Sequence, residues 1–142
     1  MEVAGTIGEA LKQLGFKFEQ ETMEDGAERF LIMVDETEEL EVTGVAYQSD
    51  DGTYFRLLAY VDELSEDGAV AQLTTLMALN GELPTGAFCM DPEEHVIYVT
   101  VNLPAAEITA DMLGYMIDFL FFAQDVYYEE QYPEHGDGLP ES

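Results

Sequence analysis

Two side chains of this sequence belong to the types that carry nucleophilic chemistry. Cys89 is the single cysteine of the 142-residue chain, and His95 follows it across a predicted hairpin turn. A cysteine acts as a nucleophile when a nearby base or positive charge lowers its pKa, and His95 is the one base that the hairpin could bring opposite it. The pair supports the hypothesis of a Cys/His-dependent enzyme. We favour the alternative of a small buried thiol and a turn histidine, so we assign no catalytic residue.

Acidic pairs are the second group with possible chemistry, because carboxylate oxygens bind hard cations. They occur at 38–39, 50–51, 93–94 and 129–130. None of them has the spaced aspartates and distal glutamate of a calcium loop, and Asp-Gly and Asp-Pro pairs are turn formers first. The sequence also lacks the common glycine-rich phosphate motifs and the hydrolase motifs. We therefore expect no metal site and no cofactor.

The charge balance restricts the partners that this chain can bind. The sequence has 31 acidic residues against four basic ones, Lys12, Lys17, Arg29 and Arg56, for a formal net charge of −27. Nucleic-acid backbones and anionic membrane surfaces are bound by clustered Lys and Arg, so we expect neither as a partner. Three explanations of the acidity stay open: steering of basic polypeptide segments, a high-salt cytoplasm, or mimicry of a nucleic acid.

Length and composition favour one folded domain. Apolar residues make up 47 % of the chain, which is enough for a core. No apolar run approaches the roughly 20 residues of a membrane span, and Glu2 stands where a signal peptide carries positive charge. We therefore expect a cytoplasmic protein. Its predicted organisation is a single domain over residues 1–132, followed by a flexible acidic tail over 133–142.

Apolar periodicity predicts three helices and six strands in the order α-β-β-β-β-α-β-β-α. The helices are expected at residues 6–14, beginning at a Thr6–Glu9 capping box, at 68–80 with Asp67 as N-cap, and from about 109 to 128 or slightly beyond. The predicted strands cover residues 16–19, 28–35, 38–48, 53–61, 85–90 and 95–102. Because strands and helices do not alternate strictly, this order indicates an α+β fold with helices packed on an antiparallel sheet.

The predicted last helix carries more apolar surface than one sheet face can cover. Its acidic residues 111, 118, 125 and 129 share one narrow strip at about 100° per residue, and most other positions are apolar. Either this is a core helix between the sheet and another helix, or it binds a second subunit or another polypeptide. The second explanation predicts five partner-binding side chains. These are Tyr115, Phe119, Phe122, Tyr127 and Tyr128.

The segment LMALNGELPTGAF at 76–88, followed by Met90-Asp91, a short turn, a strand and a long helix, resembles a known family. It is similar to the YbjN family, whose domains share the fold of class I type III secretion chaperones. The similarity of element order covers about residues 5–130. The resemblance implies a small homodimeric α+β protein that binds or regulates other polypeptides, and it supplies no catalytic residues.

These observations together predict a non-enzymatic binding module that is chaperone-like or regulatory. We expect it to form a homodimer and to hold a partner polypeptide segment on an apolar surface with an acidic rim. Two alternatives stay open. One is a structural subunit of a hetero-complex, and the other is an enzyme that uses Cys89 and His95.

Overall fold

The computed structural model describes residues 2–35 and 40–133, which form a six-stranded sheet with three helices on one face. The helices are α1 (Glu2–Leu14), α2 (Ala69–Asn80) and α3 (Ala110–Gln131). The strands are β1 (Lys17–Thr22), β2 (Glu28–Asp35), β3 (Leu40–Ser49), β4 (Gly52–Glu63), β5 (Ala87–Asp91) and β6 (Val96–Pro104). The α+β class and the element order predicted from the sequence are confirmed.

All neighbouring strands are antiparallel, and their order across the sheet is β1-β2-β3-β4-β6-β5. Asp-Gly turns join β1 to β2 and β3 to β4, as the sequence predicts. The register between β4 and β6 shifts between Tyr60 and Asp62. Because of this bulge, Val61 and Asp62 both face the helices instead of alternating across the sheet.

The core lies between the sheet and the helices. One face of each long strand is apolar and buried, as with Phe30 and Ile32 in β2 and Phe55 and Leu57 in β4. The rings of Phe30 and Phe55 pack edge to face, with 5.8 Å between their centroids. α3 crosses β4 and β6 at the centre of this layer, with α1 along one flank and α2 along the other.

This position of α3 explains most of its apolar circumference. The sheet and both flanking helices cover seven of its residues, namely Leu113, Met116, Ile117, Phe119, Leu120, Ala123 and Tyr127. The packing corresponds to the core-helix explanation, with a helix on each side instead of one. Two large side chains of α3, Tyr115 and Phe122, nevertheless stay more than half exposed.

Two of the three predicted helix starts are wrong, and one of them has a physical reason in the packing. α1 begins at Glu2 because Val3 and Ala4 extend its apolar stripe by one turn, so the proposed capping box lies inside the helix. α3 ends slightly beyond Tyr128, at Gln131, whose side chain accepts a hydrogen bond from α2. The N-cap of α2 is Gly68, not Asp67. The predicted tail lies outside the described residues from position 134 onward.

The opposite face of the sheet is not covered by any described helix. It carries half-buried apolar residues such as Leu31 and Leu58. The strand register also places three of the four basic residues of the chain on this face, namely Lys17, Arg29 and Arg56. None of the helices in the described part of the chain is long and apolar enough to span a membrane.

Candidate functional site

The structure does not bring Cys89 and His95 together, as the less favoured enzyme hypothesis would need. In the β5–β6 hairpin Cys89 lies opposite Tyr98, while His95 lies in the turn beyond the Asp91–Val96 pair. Two residues of strand span about 7 Å, so the imidazole and the thiol do not face each other across the ladder. The enzyme hypothesis loses its geometric basis. Among residues 2–35 and 40–133, no group of three or more His, Cys, Asp or Glu side chains could hold a metal ion.

The exposed side of α3 is a strip of aromatic and acidic residues. Tyr115 and Phe122 are 57 % and 54 % exposed, and no basic residue occurs anywhere in α3. We call this surface the α3 strip. It consists of Asp111, Tyr115, Asp118, Phe122, Asp125 and Glu129, all of which are exposed. Helical spacing places these positions in one line, so the two aromatic rings stand between carboxylates.

The other three predicted partner-binding residues lie elsewhere. Phe119 is buried and packs against Gly86, and Tyr127 is buried beside Phe88. Tyr128 is 38 % exposed, and its hydroxyl donates a hydrogen bond to the carbonyl oxygen of Val61. A partner that docks on this structure can therefore contact Tyr115, Phe122 and part of Tyr128, but not the two buried rings.

The outer face of α2 is a second exposed apolar surface. Val70 and Met77 are 81 % and 77 % exposed, and α2 contains no charged residue although the chain has a net charge of −27. We call this surface the α2 face. It consists of Val70, Ala71, Thr74, Met77 and Ala78. Exposed apolar residues that are grouped in this way, without charges, are typical of protein–protein contact surfaces.

A hydrogen-bonded network joins β4, α2 and α3 near the C-terminal end of α3. Gln72, a buried residue of α2, donates to the Glu63 carbonyl at 2.9 Å and to the Tyr127 hydroxyl at 3.2 Å. The Asp62 carboxylate accepts from the Tyr127 hydroxyl at 2.9 Å and from the Tyr132 hydroxyl at 2.6 Å. We call Asp62 and the three tyrosines whose rings contact one another beside it, Tyr127, Tyr128 and Tyr132, the tyrosine cluster.

The hydroxyl groups of this cluster are held in their neutral form. Burial, and to a smaller extent the nearby Asp62 carboxylate, raise the pKa of Tyr128 to about 12. Burial is also the main cause that raises the pKa of Tyr127. For Tyr132 the hydrogen bond to Asp62 is the largest cause of a raised pKa. These tyrosines therefore remain hydrogen-bond donors at neutral pH, with Asp62 as their acceptor.

The residues that carry the family resemblance attach α2 to the edge strand β5. The Asn80 side chain accepts from the Phe88 amide at 2.7 Å and donates to the Phe88 carbonyl at 3.1 Å, as a neighbouring strand would. Gly86 has φ +69°, and a Cβ atom there would lie 2.5 Å from the Thr100 carbonyl oxygen. The spacing from Asn80 to Phe88 therefore lets a side chain at the end of α2 bond to the backbone of β5.

A known protein family matches most of this chain in sequence. The YbjN family, described as "Putative bacterial sensory transduction regulator", matches residues 4–130. This chain belongs to the YbjN family. No curated protein matches it in sequence.

Solved structures share the fold of this YbjN protein at low sequence identity. An uncharacterized protein from Methanothermobacter thermautotrophicus has a TM-score of 0.71 and 14 % identity, covering 93 % of this chain and 98 % of its own. The Yersinia pestis type III secretion chaperone SycH, in complex with a stable fragment of YscM2, has a TM-score of 0.60 and 14 % identity, covering 88 % and 98 %. The HopA1–SchA chaperone–effector complex gives 0.58 and 9 %, covering 89 % and 92 %. These likenesses establish a secretion-chaperone-like fold.

Sequence reasoning missed two surfaces of this YbjN protein. The α2 face had a signal in the sequence, because a helix without charges is unusual in so acidic a chain. The tyrosine cluster had only a partial signal, the tyrosines at 127, 128 and 132. Its carboxylate comes from β4, more than sixty positions earlier, and its position depends on the bulge after Tyr60.

Proposed function

We propose that this YbjN protein is a homodimeric, non-enzymatic binding module that holds a segment of a partner polypeptide on the α3 strip. The observation that carries this proposal is the exposure of Tyr115 and Phe122 between carboxylates on a helix whose opposite side is buried. Exposed aromatic side chains commonly dominate the binding energy of protein interfaces. The fold supports the proposal as well, because two proteins that share it are secretion chaperones solved in complex with a polypeptide.

The chemistry of the α3 strip selects the segment. The strip offers two aromatic rings and four carboxylates without a basic residue. A segment with apolar side chains beside Lys or Arg complements it, because the rings take apolar contacts and the carboxylates attract the cations. An acidic segment is repelled by the strip and by the net charge of the whole chain.

Self-association uses the α2 face in this proposal. Val70 and Met77 are the most exposed large apolar side chains of the described residues, and two uncharged faces can meet without burying an unpaired charge. A twofold arrangement would bring the same face of both chains together, which is the commonest symmetry of soluble oligomers. The α3 strip would then stay free in each protomer to hold its segment.

One pair of variants tests both halves of the proposal, and each variant is the control for the other. Phe122→Asp adds a charge to the α3 strip, and Met77→Asp adds the same charge to the α2 face. Peptides selected from a random dodecamer phage library on the wild-type protein serve as the ligand. Peptide affinity is measured by fluorescence polarisation, mass by light scattering, and folding by circular dichroism.

We expect Phe122→Asp to remain dimeric and to bind the selected peptides about tenfold more weakly, since it removes an aromatic anchor. We expect Met77→Asp to be monomeric and to bind them as the wild type does. A wild-type mass of one chain would overturn the dimer. Unchanged peptide affinity in Phe122→Asp, or selection that yields no peptides, would overturn the binding role of the strip.

A further inference from the structure

The carboxylate of the tyrosine cluster has unused hydrogen-bonding capacity. Asp62 Oδ2 accepts from Tyr127, Tyr132 and Gln72, at 2.9, 2.6 and 3.3 Å. Among the described residues, Oδ1 accepts only the backbone amide of Glu63, at 2.8 Å. Each oxygen of an ionised carboxylate has about two acceptor positions, so Oδ1 can take one more donor.

Asp62 is also a half-buried charge without a counter-ion. All of its donors are neutral, and no basic side chain in the described part of the chain pairs with it. Lys12 pairs with Glu9, and Arg29 pairs with Glu21. Lys17, in the edge strand β1, and Arg56, over the ring of Tyr47, lie on the other face of the sheet. A partly desolvated carboxylate of this kind gains most from an incoming cation that also donates hydrogen bonds.

Two aromatic rings beside this carboxylate are partly open to solvent. The rings of Tyr128, which is 38 % exposed, and Tyr132, which is half-buried, are stacked, with centroids 6.0 Å apart and an angle of 28° between their planes. The last carbonyl groups of α3 also point to this end of the helix and add negative partial charge. Rings, carboxylate and helix terminus all favour the same sign of ligand.

We propose that the tyrosine cluster binds the guanidinium group of an arginine in the partner polypeptide, stacked on the exposed rings and hydrogen-bonded to Asp62. This inference rests on the proposed function, because it names a residue that the bound segment contains. A planar guanidinium can stack on a ring and donate to a carboxylate at the same time, whereas the ammonium of lysine is a point charge. The net charge of −27 repels an anionic ligand from this position.

A small probe tests the site without knowledge of the partner. N-acetyl-arginine amide is titrated into the full chain in 150 mM NaCl, and the tyrosine ring signals are followed by NMR. N-acetyl-citrulline amide, which has nearly the same shape and no charge, is the matched control ligand. We expect saturable changes at the rings of Tyr128 and Tyr132 with the arginine probe, and no saturation with citrulline.

Variants separate a specific site from diffuse attraction to an acidic surface. Asp62→Asn removes the charge, Tyr128→Leu removes one partly exposed ring of the cluster, and Tyr54→Leu removes a ring at the opposite end of β4, where it is stacked on Tyr47. We expect the arginine affinity to fall about tenfold in Asp62→Asn, to fall severalfold in Tyr128→Leu, and to stay unchanged in Tyr54→Leu. Circular dichroism confirms that each variant is folded.

Equal responses to arginine and citrulline would overturn the inference, and so would wild-type affinity in Tyr128→Leu. If Asp62→Asn does not fold, Tyr128→Leu and the citrulline control still decide the question. The proposed function fails by a different result, namely the absence of selected peptides or a Phe122→Asp variant that binds them normally. Saturable arginine binding at the cluster would support the inference in either case.

Discussion

At the residue scale, Gly86 shows how one position limits the sequence. Its φ of +69° is in the left-handed region, which favours glycine. An added Cβ would lie 2.5 Å from the Thr100 carbonyl oxygen of β6 and 2.9 Å from the Phe119 ring of α3. Both neighbours belong to the packed core layer, so neither can move away without a cost elsewhere.

Gly86→Ala should therefore lower the free energy of unfolding by roughly 2–4 kcal/mol, through overpacking and backbone strain. Gly5→Ala in α1 is the matched control, because a Cβ there meets no atom within 4 Å. It should raise stability by about 0.5–1 kcal/mol through helix propensity. Urea unfolding followed by circular dichroism measures both. Equal effects of the two substitutions would contradict this account of Gly86.

At the scale of elements, the contact between α2 and β5 depends on a single side chain. Asn80 both accepts from and donates to the backbone of Phe88, so it needs an amide and not a carboxylate. Because β5 is an edge strand of only five residues, the side chain replaces the pairing that a further strand would give.

Asn80→Asp should keep the bond from the Phe88 amide and lose the bond to the Phe88 carbonyl, at a cost of about 1–3 kcal/mol. Asn102→Asp is the control with the same change of charge, at an exposed position whose amide contacts the Tyr47 hydroxyl. It should change stability by no more than about 0.5 kcal/mol. Thermal unfolding of both variants gives the comparison. A larger loss in Asn102→Asp than in Asn80→Asp would refute the proposed role of this contact.

The helices and strands also show which parts of the structure could be predicted from the sequence. Strand alternation and Asp-Gly turns predict the meander β1–β4 well, because both signals are local. The helical spacing of α3 predicts its acidic strip for the same reason. It could not decide which apolar rings of α3 are exposed, since an apolar surface gives the same pattern under a neighbouring helix or a partner. Phe119 and Phe122 are the same residue type within one helical turn, yet the first is buried and the second is exposed.

At the scale of the whole molecule, the unbalanced charge should make stability depend on salt. The chain has a net charge of −27 and four basic residues, so mutual repulsion of carboxylates opposes the folded state. Raising NaCl from 20 mM to 500 mM shortens the screening length and should raise the melting temperature by roughly 5 °C or more. Choline chloride at equal concentration is the control for specific binding of Na⁺. A melting temperature that is constant or falls with salt would contradict this prediction.

The uneven distribution of basic residues between the sheet and the helices affects how the protein approaches a charged partner. On the uncovered side of the sheet, Lys17, Arg29 and Arg56 lie among glutamates. The charged groups that α3 exposes are all carboxylates. The centre of negative charge is therefore displaced toward the helices, and the molecule behaves as an electric dipole. In the field of a cationic chain it would rotate its helical side forward before any atoms touch. The orientation of first encounter is thus set at long range.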